Sequence, residues 1–246
     1  MQVTICIPAR LNSSRFPKKI LADLCGKSVL QHVFDRTRTC RGVNNIFILT
    51  DSDEAKDVAT NFGAQVIETS DKCVSGTERI VSVLDKLPGD FIINIQGDEP
   101  FFDIEIIDRM LTKAAVSDAD IFTPIFKFEN MEDVADPNCV KVIINYAGRA
   151  LYFSRSIVPY VRDEKDVSKW MKHADYYGHI GIYGYRRAVL ERYHDMVKGK
   201  LEFIEKLEQL RFLENGFLID TVETSNRTIG IDTPEDLERA RNLLQR

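Results

Sequence analysis

The 246-residue sequence lacks the features that mark several large classes of protein. No apolar run approaches the roughly 18 residues that a transmembrane helix needs, so no membrane span is expected. Residues 1–7 carry neither a basic n-region nor a small-residue cleavage site, and no signal peptide is expected. The five cysteines, Cys6, Cys25, Cys40, Cys73 and Cys139, are odd in number and show no Cys-x-x-Cys or Cys-His spacing. That argues against a disulfide framework and against a zinc site, and makes a reducing cytoplasm the expected compartment. Cys6 falls in an apolar run and reads as a small core residue.

An excess of one charge is missing as well. With 33 Lys and Arg against 38 Asp and Glu, the formal net charge is −5. Such mild acidity counts against a non-specific nucleic-acid binder while leaving room for a local basic pocket. No Pro/Gly/Ser-rich linker, internal repeat or low-complexity stretch divides the chain, so residues 1–246 read as one domain. Two phosphate-binding signatures are also absent: neither Gly-x-x-x-x-Gly-Lys nor Gly-x-Gly-x-x-Gly occurs.

What the sequence does contain begins with an alternation of strand and helix patterns. Residues 3–7, 45–50, 65–68, 91–95 and 121–126 are short runs rich in Val, Ile and Phe, as parallel strands buried on both faces require. Helix-like segments lie at 29–39, 53–62, 77–87 and 104–116; in the last, Ile107, Met110, Leu111 and Ala114 line one face. This rhythm predicts a doubly wound α/β sheet with ligand-binding loops at the strand C-termini. From residue 137 the rhythm changes. Residues 140–144 and 150–154 flank a turn-rich stretch and predict an antiparallel hairpin, and a Gly-interrupted strand is expected at 178–185. Residues 137–185 therefore read as a β-rich insertion within the domain. A helix is expected over 201–213, with Phe203, Leu207, Leu210 and Leu213 on one side and Gly216 as its stop. A final helix opens at Thr233, Pro234 and Asp236.

Three segments bear chemistry. Pro8-Ala9-Arg10-Leu11-Asn12-Ser13-Ser14-Arg15-Phe16-Pro17-Lys18-Lys19 is a polar loop with four cations after the first strand. Its backbone amides, with Arg10, Arg15 and Lys19, suit a triphosphate, although a solvated basic loop has the same composition. Gln96-Gly97-Asp98-Glu99-Pro100 places a carboxylate at the end of a central strand, where it could hold Mg²⁺ against phosphates or simply end the strand in a turn. Asp232 stands just before the last helix, free to reach a metal held by Asp98. Weaker signals are Ser75-Gly76-Thr77-Glu78-Arg79, which suits a base or ribose or merely a helix start, and Arg155, placed for a carboxylate. His179 and Tyr183 share one face of a strand, and Glu208 and Gln209 lie off their helix's apolar stripe, where solvent is the default.

Taken in order, these segments resemble the 3-deoxy-manno-octulosonate (Kdo) cytidylyltransferases, or CMP-Kdo synthetases. The resemblance runs through Thr50-Asp51, Val140-Lys141-Val142, Ala150-Leu151-Tyr152-Phe153-Ser154-Arg155, His179-Ile180-Gly181-Ile182-Tyr183, Leu207-Glu208-Gln209-Leu210-Arg211 and Asp232-Thr233-Pro234-Glu235-Asp236, nearly end to end. It implies a Rossmann-like nucleotide-diphospho-sugar transferase fold, a mixed sheet flanked by helices, and a homodimer touched by the β-rich insertion. It also implies transfer of CMP from CTP to the anomeric hydroxyl of a small acidic sugar, with Mg²⁺ as cofactor and a product destined for lipopolysaccharide or capsule. Arg10, Lys19 and Asp98 would be catalytic. Ala9, Ser13, Arg15, Ser75, Gly76, Thr77 and Arg79 would bind CTP alongside Arg10 and Lys19. Gln96, Arg155, His179, Tyr183, Glu208 and Gln209 would hold the sugar, and Asp98 and Asp232 the metal. An 8-amino Kdo or a sialic-acid-like acid is an alternative substrate, and a CTP-sensing protein without catalysis an alternative function. The family usually has Gly where this chain has Lys18, which is expected to stiffen the phosphate loop and add charge there. Cys73 and Val74 also depart from its pattern and leave the detailed shape of the pocket open.

Overall fold

A computed structural model describes residues 1–11, 15–226 and 230–245. In chain order the first half contains β1 (Val3–Pro8), β2 (Asp23–Leu24), β3 (Lys27–Ser28), α1 (Val29–Thr37), β4 (Asn45–Thr50), α2 (Asp53–Asn61), β5 (Gln65–Glu68), α3 (Gly76–Val81), β6 (Phe91–Asn94) and α4 (Ile104–Val116). There follow β7 (Ile121–Lys127), α5 (Met131–Ala135), β8 (Lys141–Ile144), β9 (Ala150–Ser154), β10 (Tyr177–His179), β11 (Tyr183–Arg186), α6 (Arg187–Glu191), α7 (Lys200–Glu205), α8 (Gln209–Glu214), β12 (Ile219–Thr224) and α9 (Pro234–Leu244). These elements form two compact units.

The first unit comprises Met1–Asp108, Ile182–Glu191 and Thr228–Arg246. Its strands run β5-β4-β1-β6-β11. β4 and β6 flank β1 in parallel, β5 continues in parallel beyond β4, and β11 lies antiparallel on β6. Every residue of β1 and of β6 is buried, which is why both read as mostly apolar runs, interrupted only by Thr4 and Asn94, rather than alternating ones. Cys6 is fully buried in β1, and burial pushes its thiol pKa far up, as suits a small core residue. Ser28 and Ser52 cap α1 and α2, accepting from Gln31 N and Ala55 N, and so fix where each helix leaves the sheet. The chain proceeds from β1 outward to β4 and β5, then returns to place β6 on the other side of β1. That reversal is a topological switch point, and it leaves a crevice beyond the C-termini of β1 and β6. The two chain segments approach closely there: a Cβ on Gly97 would lie 3.0 Å from Pro8 O.

The second unit comprises Arg109–Gly181 and Arg192–Arg227. Its strands run β7-β10-β8-β9, with β12 parallel to β7 in the register Ile219 to Ile121. β8 and β9 form the expected hairpin, closed by Gly148 at φ 76°. Three expectations differ from the structure, the first being the helix over 77–87, where α3 ends at Val81 and a separate 3₁₀ turn follows at Leu84–Lys86. The stretch 178–185 is not one strand: β10 ends at His179 and β11 begins at Tyr183. The helix expected over 201–213 breaks into α7 and α8 at Lys206, whose φ of 54° is left-handed. β12 is not predicted by the sequence pattern, because Asp220, Thr221 and Glu223 interrupt its apolar residues. Asp220 is nonetheless buried, its carboxylate accepting from Arg149 Nε at 2.9 Å and Ser117 Oγ at 2.5 Å.

Candidate functional site

The crevice of the first unit holds a cavity of about 280 Å³ lined by Pro8, Arg10, Arg15, Lys19, Ile20, Gln96, Gly97, Asp98 and Asp232. A second cavity, of about 120 Å³, shares Pro8, Arg10 and Gln96 with it and adds Cys73, Val74, Ser75, Gly76 and Arg79. Segments some ninety and two hundred residues from the first loop thus meet at the ends of β1 and β6, as the sequence pattern predicts.

Charge is concentrated around Lys19. Its ammonium pairs with Asp98 Oδ2 and lies 2.6 Å from Asp232 Oδ1, and the residue is 9% exposed. Arg15 Nη2 donates to the other oxygen of Asp232 at 2.8 Å. Burial pulls the Lys19 pKa down, but its two carboxylate partners outweigh that and the net shift is upward. For Asp232 burial pulls up, while Lys19 and Arg15 prevail and hold its pKa below the ordinary value. Arg10 is exposed at the rim and has no ion-pair partner among the described residues. Three cations therefore face two carboxylates, a balance that leaves positive charge for an anion.

Local structure explains why these groups hold their places. Asp232 immediately precedes α9, whose capping box joins Thr233 Oγ1 to Asp236 N at 3.2 Å and Thr233 N to Asp236 Oδ2 at 3.0 Å. Ile231, Leu237 and Ala240 anchor that helix against Leu24 and Val29, with Phe16 and Phe101 packed alongside. Ile231 N donates to Asp98 O at 2.9 Å, which ties the two acidic segments together directly. Lys18 adopts φ 57°, the left-handed conformation that favours glycine, and so turns the chain into the short 3₁₀ turn carrying Lys19. The expectation that Lys18 adds charge to the phosphate loop is corrected here: its ammonium is 2.6 Å from Glu54 Oε2 and does not line the cavity.

Among the described residues, Asp98 and Asp232 are the only carboxylates lining these two cavities. Because they already converge on one ammonium, they are close enough to share one cation. Among the described residues no cluster of three or more His, Cys, Asp or Glu side chains is arranged for a metal. That set does not suit a metal needing a full protein cage. It does fit Mg²⁺, which takes one or two carboxylates and completes its shell with phosphate oxygens and water.

The remaining expected nucleotide residues divide. Ser75 and Gly76 line the smaller cavity, and the Ser75 hydroxyl accepts from Glu78 N at 3.1 Å as the cap of α3. Arg79 reaches the cavity wall already paired, 3.0 Å from Asp51 Oδ2, which accounts for the Thr50-Asp51 signature. Two expectations are corrected. Ala9 is fully buried and its N–H donates to Leu49 O at 2.8 Å, so it serves the sheet rather than a phosphate. Thr77 is also fully buried, its hydroxyl 3.1 Å from the Tyr185 hydroxyl and away from both cavities. Ser13 lies outside the described residues.

Of the expected sugar residues, Gln96 and Tyr183 belong to the first unit; Tyr183 stands opposite Asn94 in β11 and stacks on Tyr185. In the second unit, Arg155 is partly committed: Nε donates to Glu205 O at 2.7 Å and Nη1 to Pro137 O at 2.9 Å, leaving Nη2. His179 Nε2 lies 2.9 Å from Thr123 Oγ1, and burial drives its pKa down to about 3, so the ring is neutral. Glu208 accepts from the Tyr193 hydroxyl at 2.7 Å. The Tyr193 ring lies against Arg211, itself clamped by Glu202 through two hydrogen bonds of 2.7 and 2.5 Å. Gln209 is buried, which corrects the expectation that it faces solvent. The Glu202–Arg211–Tyr193 support went unforeseen, since nothing local marks Tyr193 as the partner of a residue fifteen positions away.

Comparison with known proteins agrees with this geometry. A family model described as cytidylyltransferase matches residues 4–243. A 3-deoxy-manno-octulosonate cytidylyltransferase of Cytophaga hutchinsonii is 41% identical over 97% of this chain and 96% of its own length. One from Haemophilus influenzae is 42% identical over 99% of each. Among solved structures, a CMP:2-keto-3-deoxy-manno-octonic acid synthetase complexed with CTP superposes with a TM-score of 0.93 at 37% identity, covering 100% of this chain and 99% of that one. A glucose-1-phosphate thymidylyltransferase of Bacillus anthracis, described as putative, shares the fold alone, with a TM-score of 0.66 at 18% identity and coverage of 98% and 94%. With its mixed, helix-flanked strands, its charged cleft and these full-length matches, the chain belongs to the 3-deoxy-manno-octulosonate cytidylyltransferase family.

Proposed function

We infer that this chain carries out the reaction of its family, transfer of CMP from CTP to 3-deoxy-manno-octulosonate with release of pyrophosphate. The observation that carries the reading is the full-length identity of 41–42% to enzymes of that name, together with a solved relative that was complexed with CTP. The same matches favour Kdo over an amino or nine-carbon acid, and catalysis over mere sensing.

The residues of the crevice then take physical roles. Arg10, unpaired at the rim, and Arg15 and Lys19 are proposed to bind the triphosphate and offset the charge that builds on the departing pyrophosphate. Asp98 and Asp232 are the proposed holders of Mg²⁺, which when bound would neutralise phosphate charge. Gln96 and Tyr183 are proposed to contact hydroxyls of the sugar acid. Within the second unit, Arg155 Nη2 is a proposed donor to a carboxylate, and neutral His179 offers a hydrogen bond rather than a charge.

A homodimer is also proposed. Leu151, Val197, Phe203 and Ile204 of the second unit are exposed apolar side chains, which supports burial against another copy. No helix among the described residues is long and apolar enough to cross a membrane, and a cytoplasmic location is proposed.

The deciding experiment measures pyrophosphate release from CTP and Mg²⁺ with Kdo, an 8-amino Kdo and a sialic acid, for wild type and Asp98→Ala. Release with Kdo, reduced by about 10²-fold or more in the variant, is expected. Release with another acid only would move the substrate, and none with any acid would overturn the enzymatic reading.

A further inference from the structure

Asn94 is the only polar side chain in β6, and it is 1% exposed between two neighbouring strands. Burying an amide is costly unless its polar atoms find partners, so such a residue in a central strand calls for a reason. Its Oδ1 accepts a hydrogen bond from Gln96 Nε2 at 3.0 Å. Gly76 confines the same amide from another side. A Cβ on Gly76 would lie 2.9 Å from Gln96 Nε2 and 3.3 Å from both Gln96 Oε1 and Asn94 Nδ2. The Gln96 amide thus packs on the bare Cα at the start of α3. Gln96 is, with Pro8 and Arg10, common to both cavities of the crevice.

We propose that Asn94, backed by the bare Cα of Gly76, is a positioning residue that fixes the amide of Gln96 and presents Gln96 Oε1 as an oriented acceptor for a hydroxyl of the sugar acid. This rests on the cytidylyltransferase reading. The chemistry is a matter of orientation. One amide hydrogen of Gln96 is engaged by Asn94, so the group does not rotate to offer Nε2 where Oε1 is needed. A substrate hydroxyl that donates to Oε1 keeps its oxygen lone pair available. The amide oxygen takes no proton, and its contribution is a restricted angle rather than basicity. Glycine is required at 76 for the space it leaves to Gln96, since its backbone is not in the left-handed region.

A double-mutant cycle tests the assignment. Asn94→Leu removes the acceptor at similar volume, and Gly76→Ala displaces the same amide from the helix side. Each should raise KM for the sugar acid by about tenfold, and in Asn94→Leu, whose side chain lines neither cavity, the calorimetric Kd for CTP should stay within about twofold. In a Gln96→Leu background neither should have a further effect. Additive effects, or an equal loss of CTP affinity, would overturn the proposal and make Asn94 a structural residue only. A second readout needs no turnover: the Gln96 side-chain amide protons should exchange slowly in the apo protein and rapidly in Asn94→Leu. Unchanged exchange sinks the positioning role. Absence of pyrophosphate release by wild type sinks the assigned reaction and leaves the exchange result to stand by itself.

Discussion

At the scale of single residues, Lys19 is the group on which the crevice turns. A buried ammonium is shared by two carboxylates, with Arg15 on the second oxygen of Asp232. Lys19→Met would leave Asp98 and Asp232 facing one another without it, and removing one partner of a buried charge cluster is destabilising. The expected outcome is a lower thermal midpoint in the absence of metal. Added Mg²⁺ should then raise the midpoint more in Lys19→Met than in wild type, by about 1 kcal/mol or roughly 2–4 °C. An equal metal effect in both proteins, read by scanning calorimetry with and without chelator, would contradict the shared-cation picture. The residue types of this cluster were legible in the sequence, because loops at strand ends collect such groups. The pairing was not. Lys19 and Asp232 are 213 residues apart, and only the docking of α9 brings them together. Thr77 and Ala9 misled for the converse reason: both sit in the right segments, but their groups are consumed by the helix and sheet beside them.

At the scale of elements, the position of Asp232 depends on one helix start. Thr233→Ala removes half of the capping box of α9 and should cost about 1 kcal/mol of stability. Because Asp232 N also donates to Asp236 Oδ2, at 3.2 Å, loosening this end should raise KM for CTP more than it lowers kcat. Steady-state kinetics beside urea unfolding checks both halves, and a stability loss with unchanged KM would separate the cap from the site. This helix could be read from Thr233-Pro234-Glu235-Asp236 because capping is a local interaction. β1 and β6 could be read because burial on both faces leaves them few polar residues. The break between α7 and α8 could not, since Phe203, Leu207 and Leu210 keep helical spacing across it. Leu207 and Leu210 are buried, whereas Phe203 is 72% exposed and so does not share the face that its spacing suggests. β12 stayed hidden because Asp220 is buried through partners on other elements.

At the scale of the whole molecule, His179 couples stability to acidity. Its pKa is about 3 in the folded chain against an ordinary value near 6.5 when unfolded. Between those values the unfolded chain binds a proton that the folded chain does not. The contribution is therefore fully present above about pH 6.5 and is lost as pH falls toward 3. His179→Gln should flatten the decline of the urea midpoint between pH 7 and pH 5, and an unchanged decline would assign it to other groups. The long separation between Lys19 and Asp232 has a different consequence, for the time at which the crevice comes into being. On the ribosome the strands of the first unit through β6 emerge early, and β11 and α9 only near the end. A nascent chain carries the cationic loop for most of its synthesis without the second carboxylate that balances it. The cationic loop and Asp98 precede Asp232 in time, and all are present together only after α9 has emerged and docked.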